Sequence, residues 1–202
     1  MALKKLIFFD VETNGLKGTS VLSISAMKAS YNTETDEMLK LGEYDRFYFR
    51  NDGEQINEKA IIVNGLTDEE IEIRRSKSDI KYARTFEEDI QSFYDFCDGA
   101  DHFIAHNIRF DRDFIPFKLE CQFDTMLENM NILKIPGKYN SYKWPTLNEC
   151  AEFYNVEVDE NELHQSIYDV LTMARIFFKM RKNTLAKSRI KEYVIENKGT
   201  RF

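Results

Sequence analysis

A chain of 202 residues, 43% of them apolar, has the length and the material for one ordinary domain with a real core. A net charge of -7 excludes a module that holds nucleic acid by evenly spread positive charge, yet it suits an enzyme that recruits divalent cations, because bound metal inverts the sign a phosphate meets. Cys97, Cys121 and Cys150 are odd in number and lack a CxxC pair, no stretch approaches membrane-spanning length, and the early apolar run is only Leu6 to Phe9, so the expectation is a cytoplasmic protein with reduced thiols and no membrane partner.

Residues 5–11 (KLIFFDV) read as a buried strand, and 20–31 (SVLSISAMKASY) and 44–50 (YDRFYFR) as two more, which predicts an antiparallel meander. The period then changes. Phe86, Ile90, Phe93, Tyr94 and Cys97 recur at helical spacing, residues 103–105 give a short strand, and a helix is expected over 108–121, so a parallel crossover follows the meander. Residues 134–146 (KIPGKYNSYKWPT) predict a long loop. The last clear helix carries Ile167, Val170, Leu171, Ala174, Phe177 and Phe178 as one apolar stripe. Together these predict an α/β domain over residues 1–180 with a mixed β-sheet flanked by α-helices. Residues 181–202 form a basic C-terminal extension, helical and part of the domain or appended to it. From 179 onward there are eight Lys or Arg against Glu192 and Glu196, +6 locally, which leaves -13 on the rest and offers the tail as a phosphate-tracking surface.

Asp10 and Glu12 are two apart on a strand and so share one face, with Val11 in the opposite layer. Carboxylates beside an apolar run are costly to bury unless something positive meets them, and a divalent cation with hard oxygen ligands is one answer. Two solvated acids at a strand's end is the other, since Asp52/Glu54 and Asp68/Glu70 have the same spacing. Asp111 follows the short strand, where open α/β sheets place ligands, although Asn107 also reads as an N-cap with Asp111 complementing the helix dipole. His164 and Asp169 can converge only if His164 precedes the helix that Ser166 would cap; Ser166-x-x-Asp169 also approximates a capping box.

The segments FFDVETNGL (8–16), IIVNGLTDEEI (61–71), FIAHNIRFDRDFI (103–115), FDTM (123–126) and HQSIYDVLTMARIFF (164–178) together resemble the DEDDh branch of the DnaQ-like 3′-to-5′ exonucleases, the superfamily of the proofreading epsilon subunit of bacterial DNA polymerase III. The departures are Asn64, where many relatives have His, and the run Thr13-Asn14-Gly15. The resemblance implies a ribonuclease H-like sheet, its first three strands antiparallel and the rest parallel. It implies catalytic Asp10, Glu12, Asp111, His164 and Asp169, with the four acids holding two divalent metal ions, Mg²⁺ or Mn²⁺, and His164 as general base. Thr13, Asn14, Gly15, Leu66, His106 and Asn107 would bind substrate, with Leu66 wedged against the terminal bases. The implied partners are single-stranded nucleic acid with a free 3′ end and a DNA polymerase subunit. An exoribonuclease of the same superfamily, with the same five residues, and a non-catalytic binding module are the alternatives.

Overall fold

The structure, a computed structural model, describes residues 3–139, 141–158 and 166–202. Its first strands are β1 (Leu3–Thr13), β2 (Val21–Asn32) and β3 (Glu37–Phe47), followed by helices α1 (Glu58–Asn64), α2 (Asp68–Ser76) and α3 (Phe86–Phe96). Then come β4 (His102–Ala105), α4 (Ile108–Asp111), β5 (Cys121–Asp124), α5 (Thr125–Leu133), α6 (Leu147–Phe153), α7 (Ser166–Met180) and α8 (Lys187–Glu196). The five strands form one sheet in the order β3-β2-β1-β4-β5. The β1–β2 and β2–β3 pairs are antiparallel, and β1–β4 and β4–β5 are parallel. This is the mixed, ribonuclease H-like sheet with flanking helices.

The alternation of β1 sets the two layers. Leu6 and Phe8 point to the side covered by α6, α7 and α8, while Ile7, Phe9 and Val11 point to the side of α3. On the first side the Phe177 ring meets Phe8 edge-on at 5.4 Å. On the second, Phe93 and Phe103 close the core, and a Thr85–Glu88 capping box starts α3. The buried stripe of α7 is Val170, Met173, Ala174, Ile176 and Phe177; Leu171 and Phe178 of the expected stripe are only partly covered.

Two boundaries differ from expectation. The third strand is Glu37–Phe47 and stops before residues 48–50; it is an edge strand, and Leu39 and Leu41 in its first half are exposed, so no clean alternation betrays them. The helix expected over 108–121 ends at Asp111, passes through one 3₁₀ turn (Arg112–Phe114) and gives way to β5. Pro116 has no N–H to continue a helix. Residues 181–202 are tied into the fold. Ile190, Tyr193 and Val194 join the same core as Phe8, and the backbone N–H of Thr200 donates to the Gln122 carbonyl at 2.7 Å. Several of the tail's cations are paired, Arg181 with Asp36, Arg189 with Glu128 and Lys198 with Glu196. Among the described residues no helix is long and apolar enough to cross a membrane.

Candidate active site

Asp10 and Glu12 continue the Leu6–Phe8 face of β1 beyond the apolar core, toward the layer of α7, whose first turn carries Asp169. β4 is the parallel neighbour of β1, and the chain leaving it forms α4 with Asp111. The backbone N–H of Val11, between the two β1 acids, donates to Asp111 Oδ1 at 3.1 Å. One strand, the turn after its neighbour and the helix across the face thus bring four carboxylates to the C-terminal edge of the parallel strands.

Their electrostatics follow from that crowding. Burial first, then Asp111, Glu12 and Asp169, push Asp10 well above the usual carboxylate range. Burial and Asp169 raise Glu12 to about 7, with the Asn64 amide offsetting part of the rise. Asp111 is also raised, by burial and by Asp124 and Glu12, against the opposing Val11 bond. Among the described residues no cation offsets Asp10, Glu12 or Asp111.

As the side chains stand, no three acids, histidines or cysteines among the described residues are drawn together closely enough to hold an ion. The donor set nevertheless fits one: four carboxylates with no soft donor among them, Asp111 buried and the others part-buried, match the preference of Mg²⁺ or Mn²⁺ for hard oxygen and disfavour a thiolate-seeking metal.

Most of the expected substrate contacts are committed within the protein. Thr13 is buried and its hydroxyl donates to the Gly15 carbonyl at 2.6 Å. Asn14, also buried, donates to Glu54 Oε1 at 2.6 Å and to the Gln55 carbonyl at 2.8 Å, and accepts from the Asn57 N–H at 3.0 Å. Its side chain holds the loop together. Gly15 gives close passage, since a Cβ there would lie 3.0 Å from Asn57 Nδ2. Leu66 is core, 3% exposed and packed with Leu22, Phe47 and Ile71, so it is not presented to a terminal base in this conformation. His106 donates from Nε2 to the Pro145 carbonyl at 3.0 Å, and its Nδ1 lies 3.0 Å from the Thr125 hydroxyl. Burial lowers its pKa to about 4, so it is neutral near pH 7. Asn107 stands at the N-cap position in the left-handed conformation, φ 76°, and its side chain makes no capping bond. His164 lies outside the described residues.

Three further residues support the site although the sequence assigns them no role in it, Asn64 standing there only as a departure from the family's pattern. Asn64 donates to the Thr13 carbonyl at 3.0 Å and accepts from the Leu66 N–H, tying α1 to the end of β1. Glu54 anchors the loop after β1. Asp124, fully buried beside Asp111, accepts from the backbone N–H groups of Asn107, Met126 and Leu127. An acid just before a helix is an N-cap signal, visible in FDTM; Glu54 and Asn64 carry no such signal, because their partners are distant in sequence.

Residues 7–177 match the family described as RNase_T, exonuclease. The chain belongs to this exonuclease family. It is a 3′-to-5′ exonuclease domain of the DnaQ-like superfamily. It is 27% identical over 182 residues to the PolC-type DNA polymerase III of Mycoplasma genitalium, a match covering 87% of this chain. The chain spans only 11% of the length of that relative. Among solved structures, exonuclease X in complex with 5′ overhanging duplex DNA has a TM-score of 0.60 at 16% identity, covering 89% of this chain and 92% of that one. The nuclease domain of 3′hExo, a DEDDh family member bound to rAMP, has a TM-score of 0.59 at 14% identity, covering 92% and 94%. These exonuclease structures share the fold of this domain.

Proposed function

We propose that the chain is a metal-dependent 3′-to-5′ exonuclease that shortens single-stranded DNA, releasing nucleoside 5′-monophosphates. The observation that carries this is the gathering of Asp10, Glu12, Asp111 and Asp169 at one sheet edge, with the first three raised in pKa by burial and by neighbouring acids. A protein gains nothing in stability from such an arrangement, which marks it as a site.

In this reading Asp10, Glu12, Asp111 and Asp169 are the residues that would hold two divalent ions, Mg²⁺ or Mn²⁺. When bound, such ions supply positive charge to the scissile phosphate and the leaving 3′-oxygen. The Val11 N–H fixes the orientation of Asp111 beside the two β1 acids. The Asn64 amide steadies Glu12 and, through the Thr13 carbonyl, the end of the strand. His164 takes the proton from the attacking water, a task suited to an ordinary imidazole near neutral pH. The preference for DNA, the association with a DNA polymerase, a cytoplasmic location and a role in proofreading or repair rest on the likeness to PolC.

The test is a digest of 5′-labelled single-stranded DNA and RNA of matched sequence by the purified chain, with Mg²⁺, Mn²⁺ or EDTA. A ladder shortened from the 3′ end, favouring DNA and abolished by EDTA, is expected. A folded protein that cuts neither polymer in either metal, or that cuts in EDTA, would overturn the assignment; preferential cutting of RNA would move it to the exoribonucleases.

A further inference from the structure

The loop between α5 and α6 was absorbed by none of this, and it carries the most exposed aromatic side chains near the site. Tyr139 is 99% exposed, Trp144 62% and Tyr142 43%. In a chain of net charge -7, residues 134–146 hold Lys134, Lys138 and Lys143 and no acid, and Lys143 pairs with Glu149 just beyond them.

The loop is built rather than slack. Gly137 N–H donates to the Ser141 carbonyl at 2.8 Å and Lys143 N–H to the Ile135 carbonyl at 3.0 Å, with Pro136 and Tyr142 bridged between the two arms. Gly137 has no room for a side chain, since a Cβ there would lie 2.8 Å from the Lys143 nitrogen. Left-handed Lys134 ends α5 at one side, and the Thr146–Glu149 capping box starts α6 at the other. Pro145 is buried and its carbonyl accepts from His106, the residue that directly follows β4. The hairpin is therefore fastened to the same C-terminal sheet edge as Asp111, five residues on from His106.

We propose that this hairpin is a stacking platform for the single strand that feeds the acid cluster, with Tyr139 and Trp144 stacking on bases and Lys134 and Lys138 following the phosphates, while Lys143 is held by Glu149 of α6. It rests on the nuclease reading above. Aromatic faces interleaved with cations suit a strand whose bases are unpaired, because stacking is indifferent to sequence and the lysines meet phosphate charge. A protein interface core is depleted in lysine, which disfavours a protein occupant.

Trp144 is the only tryptophan in the chain, so its emission reports on the platform directly. Titrating the full chain with oligothymidylate in EDTA should quench that emission, with affinity falling steeply as salt rises. Tyr139→Asn, chosen because asparagine tolerates the left-handed backbone at φ 57°, combined with Trp144→Ala should weaken binding about tenfold or more. The same double variant should lower the ratio of oligonucleotide cleavage to cleavage of the p-nitrophenyl ester of thymidine 5′-monophosphate by a similar factor. Equal quenching by polyphosphate, which has no bases, would overturn stacking. Unchanged emission with wild-type binding by the double variant would overturn the platform and reassign the surface to a protein partner. Quenching by a chain that cleaves neither oligonucleotide nor ester would leave the platform standing and remove the nuclease reading.

Discussion

Three pairs of acids in this chain share the spacing Asp-x-Glu, and their surroundings make three different objects of them. Asp68 meets Arg50 at 2.7 Å and Glu70 meets Arg74 at 2.6 Å, both on the surface of α2. Glu54 accepts from Asn14 and from the backbone and hydroxyl of Ser20, and these bonds together with Arg50 hold it below its ordinary range, while its partner Asp52 stands in solvent. Asp10 and Glu12 have other acids for neighbours and are pushed up. A carboxylate ringed by donors is a fastening; one crowded by other carboxylates resists losing its proton.

The sharpest way to break this contrast is Asp10→Asn. Nuclease activity should fall by at least about a thousandfold, while the unfolding midpoint without metal stays level or rises, because a neutral amide of the same shape replaces an acid that burial and its acidic neighbours disfavour ionising. A large loss of stability would turn Asp10 into a fastening after all. Glu54→Ala should do the opposite, costing about 1–3 kcal/mol in denaturant unfolding, since it strands the donors of Asn14 and Ser20.

The pH dependence should differ in sign between the two. Glu12 ionises at about 7 in the folded chain against an ordinary 4.5, so between these values the native state holds a proton the unfolded chain has lost, and stability falls as pH rises through the window. Glu12→Gln should therefore gain on the wild type above pH 7 by roughly 1–3 kcal/mol and gain nothing below 4.5. Added Mg²⁺ should remove the gain. Glu54 is shifted down, so its contribution is present above its ordinary value and lost on acidification; Glu54→Gln should flatten that acid limb. Paired thermal melts across pH would check both. The smallest effect belongs to Asp68→Ala, expected to cost less than about 1 kcal/mol because its ion pair is part-exposed.

What could be read from the sequence follows the range over which each feature is encoded. β1, β2, α3 and α7 are long enough for their period to show, and they position Asp10, Glu12 and Asp169. β5 is four residues long and its burial runs from partial to complete, so no period marks it. The outer half of β3 is exposed and resembles a charged loop. The backbone of residues 13–15 reads from sequence as open to a substrate, and nothing there shows that the Asn14 side chain is occupied by residues 54–57, about forty positions away. Leu66 reads as available for the same reason: of the residues that cover it, Ile71 is close in sequence, but Leu22 and Phe47 are brought to it only by the sheet. The three pairs of acids were alike in sequence because their distinguishing neighbours are spatial.

The end of the chain has a further consequence. Gly199 and Thr200 run along β5, with Thr200 engaging both the Gln122 carbonyl and, through its hydroxyl, the Asp124 N–H. β5 is an outermost strand, and its rim is where a stray strand from another molecule would pair. These few residues act as a hem. Trimming them would leave the acids in place but open a raw rim to self-association, so shortened versions should precipitate before they lose their chemistry.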